Sequence, residues 1–166
     1  MSRPSELRRA FGERLQEGVS LARFTSSRTG GAAEFLIEVR TATELRQSAV
    51  ALWALGEPFR VLGGGSNVLV ADAGVREGVL LNDAGAVRFE TGDLTARVAA
   101  ESGASLGGVA RRSAERGLSG LEWAATVPGT IGGAVVGNAG AHGGDMAGTL
   151  ETAEILQPPD RVEAWP

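Results

Sequence analysis

The sequence contains no cysteine, no lysine and no tyrosine, and only one histidine among its 166 residues. Without cysteine the chain can form no disulfide, no thiolate zinc site and no cysteine nucleophile. Because all 16 basic residues are arginine, a lysine-containing phosphate loop and a Schiff-base lysine are both excluded. One histidine is too few for a histidine-based metal cluster, so we predict no metal site.

The chain also lacks long apolar runs and an excess of basic charge. No stretch of about 18 apolar residues occurs, and the first residues lack the apolar core of a signal peptide. The net charge of −4 shows no excess of basic residues of the kind that binds nucleic acid. We therefore expect a cytoplasmic protein that binds neither membrane nor nucleic acid. Its length allows one domain, or two small lobes that share a core.

Glycine is abundant, and it is most concentrated in residues 127–144. That stretch, V-P-G-T-I-G-G-A-V-V-G-N-A-G-A-H-G-G, holds seven glycines, and most other places hold Ile, Ala or Val rather than linker residues. Glycine at this density lets another backbone or a flat ligand approach the main chain closely. The stretch alone is consistent with a tight buried turn or with a backbone cradle for the phosphates or ring of a cofactor.

Residues 1–85 predict a small α/β lobe. A capping box at Thr41 and Glu44 opens one helix, which we expect to end near Gly56. Near the N-terminus apolar residues recur at every fourth position, which predicts a helix, and apolar runs of strand length predict the strands. The predicted elements are a helix at 5–19, a strand at 33–39, a helix at 41–55, and strands at 59–62, 68–70 and 79–82.

The predicted strand at 59–62 runs directly into a Gly-Gly-Gly-Ser-Asn loop at residues 63–67. Ligands tend to bind at strand ends in open sheets, and glycine N–H groups can converge on an anion, with Ser66 and Asn67 adding side-chain donors. The spacing is not that of the dinucleotide fingerprint, and apolar residues rather than a helix follow. The loop favours a phosphate site, and a glycine-rich hairpin or bulge is the alternative.

Residues 86–166 predict a second lobe, of α+β type, with residues 83–86 as the boundary. Residues 87–90 and 94–100 read as a hairpin around a turn at 91–93. Ser105 is expected to cap a helix that ends before Gly117, and Trp123 is expected in the core. A last strand is predicted at 150–156.

Four sequence blocks follow one another in a specific order. They are R-T-G-G at 28–31, L-G-G-G-S-N at 62–67, G-L-S-G-L-E at 117–122, and V-P-G-T-I-G-G-A at 127–134 with N-A-G-A-H-G at 138–143. Together they resemble the UDP-N-acetylenolpyruvoylglucosamine reductase family, and the resemblance covers most of the chain. It implies an α+β, two-lobed FAD-binding domain of the vanillyl-alcohol-oxidase (PCMH) type, built from lobes 1–85 and 86–166.

The resemblance also implies which residues bind FAD. The loop at 63–67 would hold the pyrophosphate, and the segment at 128–133 would close over the diphosphate and the flavin. Asn138 and Ala139 would lie near the isoalloxazine ring, and His142 is a possible substrate contact, with a structural role as its alternative. Arg28 is expected to be structural or to shape the cofactor site. The cofactor-binding set is Gly63, Gly64, Gly65, Ser66, Asn67, Pro128, Gly129, Thr130, Ile131, Gly132, Gly133, Asn138 and Ala139.

For the complete enzyme, the resemblance implies an oxidoreductase of peptidoglycan synthesis, and hence of cell wall biogenesis, cell shape and division. FAD and NADPH would be its cofactors, and the enolpyruvyl group of UDP-N-acetylglucosamine-enolpyruvate would be reduced to give UDP-N-acetylmuramate. We expect the family's C-terminal substrate-binding domain to be absent, and we assign no catalytic residue in this chain. The chain is therefore expected to bind FAD without catalysing this reaction on its own. The alternatives are another FAD-dependent oxidase or dehydrogenase of the same superfamily, and a non-catalytic FAD-binding fragment.

Overall fold

Four strands form the main sheet, and all of them lie within the predicted first lobe (residues 1–85). The computed structural model describes residues 3–92 and 95–166. The strands are β1 (Leu15–Ser20), β2 (Ala32–Val39), β3 (Phe59–Leu62) and β4 (Val75–Asn82). Their spatial order is β1-β2-β4-β3, with β1 antiparallel to β2, and with β2 and β3 both parallel to β4. The carboxyl ends of β2, β3 and β4 therefore meet at one edge of the sheet.

Two helices cover one face of this sheet, and the first hydrophobic cluster lies between the helices and the sheet. They are α1 (Arg3–Phe11) and α2 (Ala42–Ala54). The α2 cap is confirmed, because the Thr41 hydroxyl accepts a hydrogen bond from the Glu44 amide at 3.1 Å. The first cluster contains Leu7, Phe11, Phe35, Ile37, Val39, Ala49, Leu52 and Leu80, and a second, separate cluster contains Leu21, Ala33, Leu36, Leu62, Val79 and Leu81. Residues of β2 enter both clusters, which explains its nearly uninterrupted apolar run.

The helix predicted at residues 5–19 is wrong in its second half. Helix α1 ends at Phe11, and a short 3-10 turn at Gly12–Arg14 leads into β1. Gly12 takes a φ of +56°, a left-handed conformation that ends the helix. Leu15 then pairs with Ile37 of β2. Apolar residues at every fourth position did not distinguish the two structures, because Leu15 and Val19 can also lie in a half-buried edge strand.

The strand predicted at residues 68–70 is also wrong. Strand β4 begins at Val75, and no strand covers residues 68–70. Since β3 and β4 are parallel, the chain cannot turn back as a hairpin and must cross over. Residues 63–74 make that connection, and Leu69 within it remains 86% exposed.

The described residues of the predicted second lobe (86–166) form a hairpin, two helices and short strand pairs. The hairpin joins β5 (Val87–Thr91) to β6 (Ala96–Ala100), as predicted, although residue 93 of the predicted turn and residue 94 of the predicted second strand lie outside the described residues. Helix α3 (Leu106–Ala114) begins at Ser105, whose hydroxyl accepts from the Gly108 amide at 3.2 Å, so this cap is confirmed. Trp123 is 7% exposed, as expected for a core residue.

The last part of the chain forms a hairpin that the sequence only partly predicted. After the helix α4 (Ile131–Gly137) come the short strands β7 (Gly140–Ala141) and β8 (Gly144–Asp145). Strand β9 (Ala153–Gln157) starts later than the predicted strand at 150–156, and β10 (Arg161–Trp165) was not predicted. Leu156 packs against the first-lobe cluster of α1 and α2, so the hairpin also contacts that lobe.

Residues near the expected boundary connect the two lobes by direct hydrogen bonds. The Glu101 carboxylate accepts from the Ala42 amide at 2.8 Å, at the start of α2. Its second oxygen accepts from the Ala86 amide at 2.9 Å, next to the β5–β6 hairpin. One side chain therefore joins the first helix turn of one lobe to the hairpin of the other. The division at residue 85 stays a prediction.

Candidate functional site

The two glycine segments singled out from the sequence touch each other. These are the glycine loop (residues 63–67), which follows β3, and the Pro-Gly-Thr segment (residues 128–133). The Ser66 hydroxyl donates to the Pro128 carbonyl at 3.3 Å. A Cβ at Gly63 would lie 2.5 Å from Thr130 Oγ1, and one at Gly129 would lie 2.6 Å from Ser66 Oγ. The segments approach this closely only because these positions lack side chains.

A third segment, residues 23–28, packs against the other side of the glycine loop. The Ser26 amide donates to the Gly65 carbonyl at 3.0 Å. Gly65 has a φ of +62°, and any Cβ there would overlap the carbonyl oxygen of Phe24. The buried Thr25 hydroxyl donates to the Thr29 carbonyl at 2.8 Å and closes a tight turn in which Arg28 has a φ of +56°. The site is thus assembled from three distant stretches of sequence.

A cleft of about 320 Å³ lies beside the glycine loop. The lining contains two exposed arginines, Arg23 and Arg28, and one carboxylate, Asp83, so positive side chains outnumber negative ones there. The Arg23 guanidinium lies over the Phe24 ring, 4.6 Å from its centroid. Guanidinium groups suit phosphate oxygens because their N–H donors match the planar oxygen pairs. The lining residues are Arg23, Phe24, Thr25, Ser26, Arg28, Gly63, Gly64, Leu81 and Asp83.

The Pro-Gly-Thr segment leads into a helix that the sequence did not predict. Thr130 is the N-cap of α4, and its hydroxyl accepts from the Gly133 amide at 3.3 Å. Glycine and valine favour helices weakly, so the local pattern pointed to a turn or a cradle rather than to a helix. The helix forms because Ala134 packs into the second-lobe core with Leu106 and Trp123. Tertiary packing therefore overrides a weak local propensity here.

Asn138 and Ala139 lie at the far end of α4. Asn138 ends the helix with a φ of +40°. Its side-chain oxygen accepts from the Ala147 amide at 2.8 Å, and its side-chain nitrogen lies 3.4 Å from an Asp145 oxygen. It also lines a second cavity, of about 230 Å³, with Val135, Met146, Ala147, Leu150 and Pro166. A place beside the flavin ring stays a prediction for both residues.

His142 lies at the tip of the β7–β8 hairpin. It is exposed and has a φ of +53°, which the tight two-residue turn requires. The structure thus gives the residue a backbone role in the turn and leaves its imidazole facing solvent. A substrate contact by His142 stays a prediction.

The resolved pKa shifts belong to surface ion pairs outside the cleft. The Arg46 guanidinium, 2.7 Å from the Asp160 carboxylate, lowers the pKa of Asp160. Arg97, 2.6 Å from Glu151, likewise lowers the pKa of that carboxyl. Within residues 3–92 and 95–166, no cluster of three potential metal-ligating acids or histidines occurs, and no helix has the length and apolarity to cross a bilayer.

The structure brings together some of the predicted site residues and adds others. Gly63 and Gly64 line the cleft, and Gly65, Ser66, Gly129 and Thr130 adjoin it through the contacts described above. Asn67 is exposed and lies outside the lining. Sequence reasoning missed Arg23, Ser26 and Asp83. The run of arginine and hydroxyl residues at 23–29 was a signal for the first two.

The residues present fit a cofactor that carries phosphates. Gly65 and Gly129 have positive φ, and the glycine loop exposes backbone at the cleft, where Gly64 is exposed. Arginine side chains provide the opposing charge, and the exposed residue Ser26 adds a hydroxyl group to the lining. Backbone N–H groups, hydroxyl donors and guanidinium groups are the donor set that proteins use for phosphate.

Comparisons with known proteins agree with this fit. A family model for FAD binding domains matches residues 33–157. The UDP-N-acetylenolpyruvoylglucosamine reductase of Synechococcus sp. (strain JA-3-3Ab) is 44% identical over 156 residues, which are 90% of this chain and 48% of that protein. The chain spans about half the length of the curated relatives it matches.

Solved structures show the same fold. A UDP-N-acetylenolpyruvylglucosamine reductase from Thermus caldophilus aligns with a TM-score of 0.71 and 37% identity, over 91% of this chain and 52% of that one. A cholesterol oxidase from Brevibacterium sterolicum aligns with a TM-score of 0.63 and 16% identity, over 91% and 32% of the two chains, and supports the fold alone. The expected resemblance and fold class are confirmed. Because the family model covers most of its length, the chain belongs to the FAD-binding domain family.

Proposed function

We propose that this chain is the FAD-binding portion of a UDP-N-acetylenolpyruvoylglucosamine reductase. The observation that carries the proposal is the contact between the glycine loop and the Pro-Gly-Thr segment beside an arginine-lined cleft. Membership of the FAD-binding domain family and the similarity to reductases of that name support it. The family model and the donor groups of the cleft support FAD binding, whereas the reaction and the substrate are inferred from the relatives.

Each part of the cleft has a separate task in this proposal. Backbone N–H groups of the glycine loop bind the pyrophosphate, and Arg23 and Arg28 neutralise its charge. The Ser66 hydroxyl, which donates to the Pro128 carbonyl, holds the loop in place, and a direct contact of Ser66 with the cofactor stays a prediction. The exposed backbone at Gly64 lets the cofactor lie against the main chain. When bound, FAD supplies the hydride-transfer chemistry, and the protein binds and orients it.

In the complete enzyme, NADPH is the reductant and a UDP-sugar that carries an enolpyruvyl group is the substrate. The product, UDP-N-acetylmuramate, serves peptidoglycan synthesis, and therefore cell shape and division, and we place the protein in the cytoplasm. The chain alone does not complete this reaction, since it corresponds to about half of the relatives' length. Purified chain supplied with FAD, NADPH and the enolpyruvyl substrate should show no substrate-dependent NADPH oxidation. Turnover at the rate of a full-length relative would contradict this.

Cofactor binding is tested by titrating the purified chain with FAD and with riboflavin, which lacks phosphates, while flavin fluorescence is recorded. FAD should bind much more tightly than riboflavin. Arg23→Gln should weaken FAD binding about tenfold, since a charge-assisted contact contributes about 1.5–3 kcal/mol and this one is partly exposed. Arg60→Gln is the matched control, because Arg60 is an exposed arginine of β3 that pairs with Glu77 at 2.8 Å outside the cleft. Equal affinity for the two flavins, or equal effects of the two substitutions, would contradict the proposed site.

A further inference from the structure

The Pro-Gly-Thr segment is fixed in place by residues 102–106 of the second lobe. The Gly132 amide donates to the Ser102 carbonyl at 2.8 Å, and the Ile131 amide donates to the Ala104 carbonyl at 2.9 Å. A Cβ at Gly132 would lie 2.8 Å from the Cβ of Ser102, so the two backbones are in close contact. Any shift of Ser102 therefore moves the segment that faces the glycine loop.

Ser102 is held in turn by a buried amide of the first lobe. Asn82, the last residue of β4, is 4% exposed. Its side-chain nitrogen donates to the Ser102 hydroxyl at 2.8 Å, and its side-chain oxygen accepts from the Ala84 amide at 3.1 Å. Both ends of the amide are thus hydrogen-bonded, and the hydrogen bond to Ser102 crosses from one lobe to the other.

The same strand end is joined to the glycine loop. Leu81, next to Asn82, pairs with Leu62 of β3, and Leu62 directly precedes Gly63. Leu81 and Asp83, on either side of Asn82, both line the cleft. A short and mostly buried path therefore runs from the glycine loop through the β3–β4 pair, Asn82 and Ser102 to the Pro-Gly-Thr segment.

The alternative connection between the two segments is weaker. Their direct hydrogen bond joins Ser66 to Pro128 at 3.3 Å, and their other contacts are those of glycine backbone with short side chains. The bond between Asn82 and Ser102 is shorter, at 2.8 Å, and part-buried. A shorter hydrogen bond in a less polar environment is stronger and better defined in geometry. The indirect path should therefore dominate the spacing.

We infer that Asn82 is a positioning residue for the cofactor cleft, which acts through the Ser102 hydroxyl to set the distance between the glycine loop and the Pro-Gly-Thr segment. The inference deepens the proposed function and rests on it, because the placement of the glycine loop against the Pro-Gly-Thr segment affects binding only if FAD occupies the cleft that this loop lines. Asn82 does not itself contact the cofactor. A purely structural Asn82 would serve only to close the turn at Ala84.

The deciding variant is Ser102→Ala. It removes the hydroxyl while leaving the backbone bond from Gly132 and the bond between Asn82 and Ala84. The matched control is Ser113→Ala, which removes a buried hydroxyl that donates to the Val109 carbonyl at 3.0 Å within α3. For each chain we would measure the FAD dissociation constant, the visible flavin spectrum at saturation, and the unfolding midpoint without FAD.

Ser102→Ala should raise the dissociation constant of FAD about tenfold, because one part-buried hydrogen bond that orders the site is lost. Its flavin spectrum at saturation should also shift, since the cofactor environment changes. Ser113→Ala should lower the unfolding midpoint while leaving the FAD affinity and the spectrum as in the wild type. Asn82→Ala should weaken FAD binding at least as much as Ser102→Ala does. Combining the two substitutions should cause little further loss of affinity, because both act on one path.

The outcomes separate the inference from the proposed function. If the wild type binds FAD and Ser102→Ala lowers only the unfolding midpoint, the positioning role is overturned and the proposed function stands. Additive losses from Asn82→Ala and Ser102→Ala would likewise overturn the path. If the wild type fails to bind FAD, both the proposed function and the inference fall. Should Asn82→Ala not fold, the comparison of Ser102→Ala with Ser113→Ala still decides.

Discussion

Replacing Gly63 by alanine should destabilise the chain, whereas the same change at Gly64 should not. The new Cβ at Gly63 would lie 2.5 Å from Oγ1 and 3.2 Å from Cγ2 of Thr130. Thr130 is β-branched, so rotation about χ1 exchanges one close group for the other and does not relieve the overlap. At Gly64 the Cβ would lie 3.5 Å from the Cα of Gly129, an ordinary van der Waals contact.

The size of the effect follows from what Thr130 must give up. Overpacking by one methyl group costs about 1–3 kcal/mol, and moving the Thr130 hydroxyl off the Gly133 amide costs about 1 kcal/mol more through loss of the α4 cap. Gly→Ala substitution also lowers the entropy of the unfolded chain, which offsets about 0.5 kcal/mol of the loss in the free energy of unfolding. We expect the free energy of unfolding to fall by about 2–3 kcal/mol for Gly63→Ala and to change by less than about 0.5 kcal/mol for Gly64→Ala.

Urea unfolding without FAD, followed by tryptophan fluorescence, measures this difference. The denaturant slope should match the wild type in both variants, so that only the midpoint moves. Equal stability of the two variants would show that the glycine loop does not pack against Thr130 in solution. Gly64→Ala should nevertheless weaken FAD binding, because Gly64 lines the cleft and an added methyl group shields its backbone from the cofactor. It would thus separate folding from cofactor binding.

Three further predictions concern two contacts between elements and one residue within helix α4. Glu101→Ala should lower the free energy of unfolding by about 1–3 kcal/mol, because two backbone N–H groups lose a charged partner; chemical denaturation measures the loss, and a change under 0.3 kcal/mol would contradict it. Asp160→Asn should reduce stability slightly at neutral pH and not at low pH. The Arg46 pair holds the folded pKa of Asp160 below its ordinary value of 3.8, so its contribution disappears as pH falls through the folded pKa. Unfolding curves from pH 2 to 7 should therefore converge at the acid end, and parallel curves would refute this. Gly137→Ala should raise the thermal midpoint by a few degrees, since the Cβ meets no atom within 4 Å and alanine favours the helix by about 1 kcal/mol; a lower midpoint would contradict it.

Much of the first lobe could be predicted because its signals are local. The apolar run of β2 and the Thr41 cap of α2 each depend on a few adjacent residues, and the structure confirms both. The strand β1 was missed because its apolar residues also match a helical period. The strand expected at 68–70 failed for a different reason, since only the parallel pairing of β3 with β4 forces a crossover there.

The candidate site shows the same division between local and distant information. The glycine loop and the Pro-Gly-Thr segment were recognisable from composition, and their contact could be inferred only through the family resemblance. Asp83 was missed because it follows the end of β4 and nothing in its own sequence neighbourhood marks it. Arg23 was missed although it opens a run of arginine and hydroxyl residues at 23–29, because only the tertiary fold brings that run to the glycine loop. Helix α4 was missed because its stability comes from the packing of Ala134 against Leu106 and Trp123 rather than from the helix propensity of its residues.

The close contacts of the glycines have a consequence for related chains that have changed their function. Side chains at Gly63, Gly65, Gly129 or Gly132 would collide with protein atoms even when no ligand is bound. A descendant that had lost the cofactor would therefore remain under selection to keep its glycines, because it must still fold. Substitutions would accumulate first at Arg23 and Arg28, which the fold does not need to the same extent. Among such descendants, the glycine pattern identifies the shared ancestry, and the cleft arginines distinguish those that still carry a flavin.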